Sequence, residues 1–201
     1  MEHINQAILR GQLQGLPQFS HENHGQKFFR FFLEIPRLSG AVDVVPVVAR
    51  QELLESMDLS GGSCLYIRGQ IRSHNSRTGG VRHLLVFVFA EEILCQDGEP
   101  LNQVELLGAL CKEPNYRRTP LGREICDCLL AVSRGYHRAD YLPCILWGRT
   151  ACEISQLHIR DEIMISGRLQ SRTYCKQTDD GPQERVTYEV SALSASVCMN
   201  D

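Results

Sequence analysis

The chain is written twice. Asn5-Gln6-Ala7-Ile8-Leu9-Arg10-Gly11-Gln12-Leu13 returns as Asn102-Gln103-Val104-Glu105-Leu106-Leu107-Gly108-Ala109-Leu110, 97 residues further on, and Pro46 returns as Pro143 at the same spacing. Leu65-Tyr66-Ile67-Arg68-Gly69-Gln70-Ile71-Arg72-Ser73 returns as Ile163-Met164-Ile165-Ser166-Gly167-Arg168-Leu169-Gln170-Ser171, shifted by one more residue. Anchors held at a near-constant offset mean two copies of one unit, so the fold has to be one that about 100 residues complete. Gln96-Asp97-Gly98-Glu99-Pro100 lies between the copies and has the chemistry of a connecting loop. The expected division is a first unit over 1–95, a linker over 96–101 and a second unit over 102–201.

Composition sets the class of each copy. Of 201 residues, 43% are hydrophobic and 22% charged, enough apolar surface for two cores. The net charge of -3 excludes a blanket polycation, so contact with a nucleic acid requires a local basic face. No apolar run reaches the roughly 18 residues of a membrane span, and Met1-Glu2-His3-Ile4-Asn5 lacks the pattern of a secretion signal; no membrane partner is expected. The nine cysteines contain no Cys-x-x-Cys pair, and Cys126 and Cys128 alternate along an apolar stretch. They read as reduced, structural thiols of a cytoplasmic protein, with no metal and no cofactor.

The signals within each copy are mostly strands. In the second they fall near 102–111, 122–135, 140–148, 162–173 and 184–198, with a short helix near 149–158. Two loops stand out, one from Cys175 to Glu184 around Asp179-Asp180-Gly181-Pro182, the other Gly135-Tyr136-His137-Arg138. Five strands with a helix after the third is the order of an OB barrel, although a plain sandwich has the same alternation.

A set of ordered motifs carries a more specific signal. They are Asn102-Gln103-Val104 through Gly108, Glu113-Pro114-Asn115-Tyr116-Arg117-Arg118-Thr119-Pro120-Leu121-Gly122, Leu130-Ala131-Val132, Ile145-Leu146-Trp147-Gly148-Arg149, and Gly167-Arg168-Leu169-Gln170-Ser171-Arg172-Thr173-Tyr174. In these residues the stretch 102–197 resembles the DNA-binding domain of bacterial single-stranded DNA-binding proteins. The first copy matches only through its relation to the second. The resemblance implies an all-β chain with short helices, folded as two tandem OB-fold barrels. It also implies a homodimer in which four folds meet, work in replication, recombination or repair alongside replication proteins, and a place at the bacterial nucleoid.

The residues of the second copy suit that ligand. Sequence-independent binding of single strands needs rings on which bases stack and cations that follow the phosphates. Along the fourth strand Ile163, Ile165 and Leu169 share the core face, so Arg168, Gln170, Arg172 and Tyr174 share the other. Along the third, Tyr141 and Trp147 share a face, with Leu142, Cys144 and Leu146 opposite. The resemblance places the family's four stacking aromatics on Tyr136, Tyr141, Trp147 and Tyr174, and its phosphate-contacting cations on Arg117, Arg149 and Arg172. Position alone adds Arg134, Arg138 and Arg168. Tyr116 and Tyr188 read as packing residues.

At the aligned places the first copy has Ser39, Val44, Arg50 and Ser76, none aromatic. All seven Phe lie in that copy, whereas the second holds the single Trp and five of the six Tyr. Phe prefers burial, while Tyr and Trp suit half-wet surfaces. Phe28-Phe29-Arg30-Phe31-Phe32-Leu33 and Leu84-Leu85-Val86-Phe87-Val88-Phe89 do not alternate cleanly, so these strands are expected to bury both faces, against the second copy or a second chain. The first unit is therefore read as degenerate and structural. Arg68, Arg72, Arg77 and Arg82 remain as a weak electrostatic guide for a passing strand.

Catalysis finds no support. Ser60-Gly61-Gly62-Ser63 and Thr78-Gly79-Gly80 are turns rather than phosphate cradles, no Gly-x-Ser-x-Gly elbow occurs, and His21-Glu22-Asn23-His24 lacks zinc-protease spacing. The rival is a protein-interaction OB module of a primosome or mobile-element assembly. Ser196-Val197-Cys198-Met199-Asn200-Asp201 follows the last strand directly, so the acidic recruiting tail of housekeeping members is not expected. RNA is a third candidate ligand, because stacking alone does not separate it from DNA.

Overall fold

Apolar residues at every second position, rather than at helical spacing, build nearly all of this chain. The computed structural model describes residues 3–78, 81–136, 138–178 and 181–198. The first copy forms β1 (Asn5–Asn23), β2 (Gln26–Pro36), β3 (Val42–Arg50), a 3-10 turn (Gln51–Leu53), β4 (Cys64–Thr78) and β5 (Val81–Cys95). The second forms β6 (Leu101–Leu110), β7 (Asn115–Arg118), β8 (Glu124–Arg134), β9 (Arg138–Trp147), α1 (Gly148–Ile154), β10 (Glu162–Thr178) and β11 (Gly181–Val197). Among the described residues no helix is long and apolar enough to cross a membrane.

Each copy closes on itself. The first runs β1-β2-β3-β5-β4 and returns to β1; the second runs β6-β8-β9-β11-β10 and returns to β6, with β7 at the edge of β8. Each barrel has one short parallel contact, Val47 with Val88 and Val48 with Phe89 in the first, Cys144 with Val190 and Ile145 with Ser191 in the second. Closure leaves each barrel one interior to fill. Leu65, Ile67 and Ile71 of β4 and Ile163, Ile165 and Leu169 of β10 are wholly buried there, each contributing roughly 1.5–3 kcal/mol. These are tandem OB barrels in an all-β chain with short helices.

The repeated motifs have repeated jobs. Asn5 donates from Nδ2 to the Ile71 carbonyl at 2.8 Å and accepts from the Ile71 amide at 2.8 Å; Asn102 does the same with Leu169 at 2.7 and 2.9 Å. Gly69 and Gly167 lie where the last two strands of each barrel change register. A Cβ there would run into the Phe89 carbonyl oxygen in the first barrel and the Ser191 carbonyl oxygen in the second.

The barrels join through β1 and β6, paired antiparallel from Asn5 opposite Leu106 to Arg10 opposite Leu101. Ala7 faces Val104, its own counterpart in the repeat, so a local two-fold axis passes through that pair. The same symmetry repeats a clamp across the junction. The Ser73 amide donates to Asp140 at 2.7 Å, and the Ser171 amide donates to Asp43 at 3.3 Å. Arg37 forks onto Asp43, and its counterpart Arg134 lies 3.6 Å from Asp140. Both carboxylates are buried.

The structure departs from the expectations of the sequence in places. The described residues of the expected loop from Cys175 to Glu184 are instead strand. Cys175 pairs with Glu184 and the ladder continues to Thr178 opposite Gly181. Gly181, where β11 begins, has φ 105°, a conformation glycine adopts without strain. The strand β7 is an addition to the expected set, separated from β6 by residues 111–114, where β1 of the first copy runs on through Pro17. The helix ends at Ile154 rather than 158. Asp179, Asp180 and His137 lie outside the described residues, as do the side chains of Arg77 and Arg82.

Candidate nucleic-acid interface

Strand β9 sets the centre of the candidate surface. Leu142, Cys144 and Leu146 point into the core, so Tyr141 and Trp147 point out, at 45% and 38% exposure. Six residues of strand put them about 20 Å apart. The Trp147 indole N–H donates to Ser191 Oγ at 3.2 Å, which lays the ring against β11. The Tyr141 amide donates to Ser73 Oγ at 2.7 Å, fixing this strand to the first barrel. Tyr136 stands at the β8–β9 turn, 96% exposed and in the left-handed region at φ 62°. Tyr174 lies opposite Arg185 on the β10–β11 ribbon at 40% exposure, and Arg185 Nη1 reaches His83 of β5 at 3.3 Å.

The cations divide by what already holds them. Arg172 and Arg138 are exposed and carry no side-chain hydrogen bond or ion pair among the described residues. Arg168 faces Ser191 across the β10–β11 ladder, and its Nε is buried with no partner among the described residues. Arg117 forks onto Asp127 at 2.6 and 3.2 Å, and that hydrogen bond raises its guanidinium above the ordinary value. Arg149 is raised in the same way by Glu153, one helical turn away at 2.7 Å. Arg134 belongs to the junction, where it shares Asp140 with Arg72, 3.5 Å away. Burial, with the Arg134 charge beside it, lowers the Arg72 guanidinium.

Other polar residues here are structural. Tyr116 Oη and Arg118 Nη2 donate to Glu124 Oε1 at 2.9 and 3.1 Å, while the Cys152 thiol donates to Oε2 at 3.2 Å. Tyr188 is half-buried against the core. Cys126, Cys128 and Cys144 are buried and free, and burial raises the Cys144 thiol. Among the described residues no cluster of His, Cys, Asp and Glu has the makings of a metal site. Asp43, Asp140, Ser73 and Ser171 are functional in the junction without standing out in the sequence. The only available signal was that Asp and Ser recur at the repeat offset.

In the first barrel, Val44 and Arg50 stand where the second has Tyr141 and Trp147, and Arg50 lies over the Phe89 ring at 5.8 Å. The Phe-rich strands alternate after all. Phe31 points inward, whereas Phe28, Phe32, Phe87 and Phe89 point outward and are half-buried. Val186 and Tyr188 of the second barrel share the groove these outward rings line.

Known proteins resemble the chain in sequence over less than half of its length and in fold over both barrels. The model of the "Single-strand binding protein family" matches residues 101–197. Single-stranded DNA-binding protein B of Bacillus subtilis (strain 168) is 36% identical over 94 residues, covering 43% of this chain and 80% of that protein. Single-stranded DNA-binding protein 1 of Staphylococcus aureus (strain COL) is 37% identical over 84 residues, covering 38% of this chain and 50% of its own length. The chain thus spans about half the length of that relative. The crystal structure of wild-type single-stranded DNA binding protein from Thermus aquaticus superposes with a TM-score of 0.81 at 24% identity, covering 100% of this chain and 96% of that one. That likeness shows the shared fold of both barrels. With its repeated OB fold, and with the match to the Bacillus subtilis protein covering most of that relative, the chain belongs to the single-strand binding protein family.

Proposed function

We propose that the chain binds single-stranded DNA without catalysis, and that its second barrel, residues 102–201, makes the main contact. The observation that carries this reading is the outward, exposed placement of Tyr136, Tyr141, Trp147 and Tyr174 on one barrel. Tyrosine and tryptophan offer flat faces for bases while keeping a polar edge in water. At about 1–3 kcal/mol per stacked base, such rings supply affinity for any sequence. Arg172, Arg138 and Arg168 hold phosphates directly. Arg117 and Arg149 exchange their carboxylate partners for phosphate, so they contribute less. The names of the relatives support the same ligand.

In this reading the first barrel, residues 1–95, braces the second through the Asp43 and Asp140 clamps. Two chains pair so that four barrels meet, in the cytoplasm of a bacterial cell at the nucleoid. The protein works there beside replication, recombination or repair proteins.

Titration with poly-dT while following Trp147, the only Trp, tests the ligand. Saturating quenching that Tyr174→Ala and Tyr141→Ala weaken supports stacking on this barrel. A folded protein with no quenching at low salt overturns it, in favour of a protein-binding module.

A further inference from the structure

A carboxylate stands in the middle of the surface that carries the rings. Val190 and Ala192 of β11 belong to the core, so Glu189 and Ser191 lie on the outer face of the second barrel. Gln170 of β10 lies opposite Glu189 on that face, because Leu169 points inward. Gln170 donates from Nε2 to Glu189 Oε1 at 2.9 Å, and the two residues are only 9% and 8% exposed. Among the described residues Glu189 has no ion pair and no other hydrogen bond.

The pair lies between two of the rings. Ser191, two residues after Glu189, accepts from the Trp147 indole at 3.2 Å. Where β11 runs beside β9, Val190 meets Cys144 and Ser191 meets Ile145. Glu189 therefore enters that contact level with Pro143, between Tyr141 and Trp147. Arg168 and Arg172 stand on either side of Gln170 along the same face of β10. A strand stacked on both rings carries a nucleotide over Glu189.

Charge decides which part of that nucleotide turns toward the carboxylate. A phosphate is repelled there and goes to the arginines on either side. A base edge is accepted if it donates, because an ionised carboxylate only accepts hydrogen bonds. The Gln170 amide occupies one of its oxygens, which leaves the other for an exocyclic amine. Cytosine presents such an amine at N4 and adenine at N6, whereas thymine presents the acceptor O4.

We propose that Glu189, held by Gln170, reads the edge of a base and gives this surface a preference for cytosine and adenine over thymine. The inference rests on the DNA-binding reading of the second barrel. It adds a base preference to stacking, which by itself is tolerant of sequence.

The test uses the full chain, with Trp147 quenching as the signal, and three oligonucleotides of equal length. They are oligo-dC, oligo-dT and an oligomer of deoxyribosyl pyrimidin-2-one, which is cytosine without its 4-amino group. The parent is expected to bind oligo-dC about fivefold more tightly than the amine-free oligomer, or better. Glu189→Gln keeps the shape of the side chain but turns an amide N–H toward the base in place of a free oxygen. In that variant the difference is expected to fall below about twofold, and the preference for oligo-dC relative to oligo-dT to fall with it. The comparison of oligo-dC with the amine-free oligomer needs only the parent, so it decides even where Glu189→Gln fails to fold. Equal affinity of the parent for those two oligomers overturns the base reader and leaves the second-barrel reading standing. A difference that persists undiminished in folded Glu189→Gln does the same. Absence of quenching by all three oligonucleotides overturns both.

Discussion

Ser73 and Asp140 are joined across the two barrels by a 2.7 Å hydrogen bond from amide to carboxylate. Asp140 is fully buried and also faces Arg72 and Arg134, so it compensates two guanidiniums and one backbone donor. Asp140→Ala leaves those groups without their anion, which at a buried pair typically costs about 3–5 kcal/mol. Thermal unfolding is expected to show that loss. A melting temperature indistinguishable from the parent's would mean that the junction does not depend on the carboxylate.

Close backbone approach makes a second prediction. A Cβ on Gly167 meets the Ser191 carbonyl oxygen, and the strand carrying it is held by a ladder that cannot yield cheaply. Gly167→Ala is expected to destabilise by about 1–3 kcal/mol. Gly135→Ala, in open space at the β8–β9 turn, serves as the control and changes denaturant midpoints little.

The pairing state of the cations predicts how salt acts. Removing one cation from a phosphate of a single strand flattens the plot of log affinity against log salt by about 0.7. Arg172→Ala is expected to flatten it by about that amount, because Arg172 is free of acidic partners among the described residues. Arg117→Ala flattens it less, since Asp127 already balances that charge. Equal slopes for the two variants in poly-dT titrations would contradict the ordering.

Acid sensitivity follows from Glu124. Hydrogen bonds from Cys152, Tyr116 and Arg118 hold its carboxyl below the ordinary carboxylate range. A carboxyl lowered in the folded state stabilises fully above its unfolded value, about 4.3, and loses that contribution as pH falls through the lower folded value. Glu124→Gln is therefore expected to flatten the decline in stability below about pH 4.5. Urea midpoints measured from neutral pH downward check this; parallel declines in both proteins would exclude a role for Glu124.

Much of the architecture was legible along the chain. The repeat of Asn5 through Leu13 at Asn102 through Leu110 announced two copies, because key residues there do the same work twice: Asn5 and Asn102 clamp a strand, and Ala7 and Val104 meet on the local axis. Inward and outward faces of β9 and β10 also followed from parity, because a closed barrel has one interior and the side-chain period is two. The β10–β11 ribbon looks like a loop in the sequence because beyond Tyr174 it stands clear of the core, so no buried face imposes an apolar period.

Pairing across the junction was not legible. That Asp140 meets Ser73, 67 residues away, depends on how two barrels dock, and an aspartate near the start of a strand looks the same whether solvated or buried. The same holds for Arg134, a surface cation by its position in the sequence and a clamp residue in the fold, and for Arg117, whose Asp127 partner arrives from the neighbouring strand. Local alternation and repetition are properties of the chain itself, so the sequence alone determined the barrels and their faces. Which charges remain free, and what the outward Phe rings enclose, depends on contacts between distant segments, and only the tertiary structure decided them.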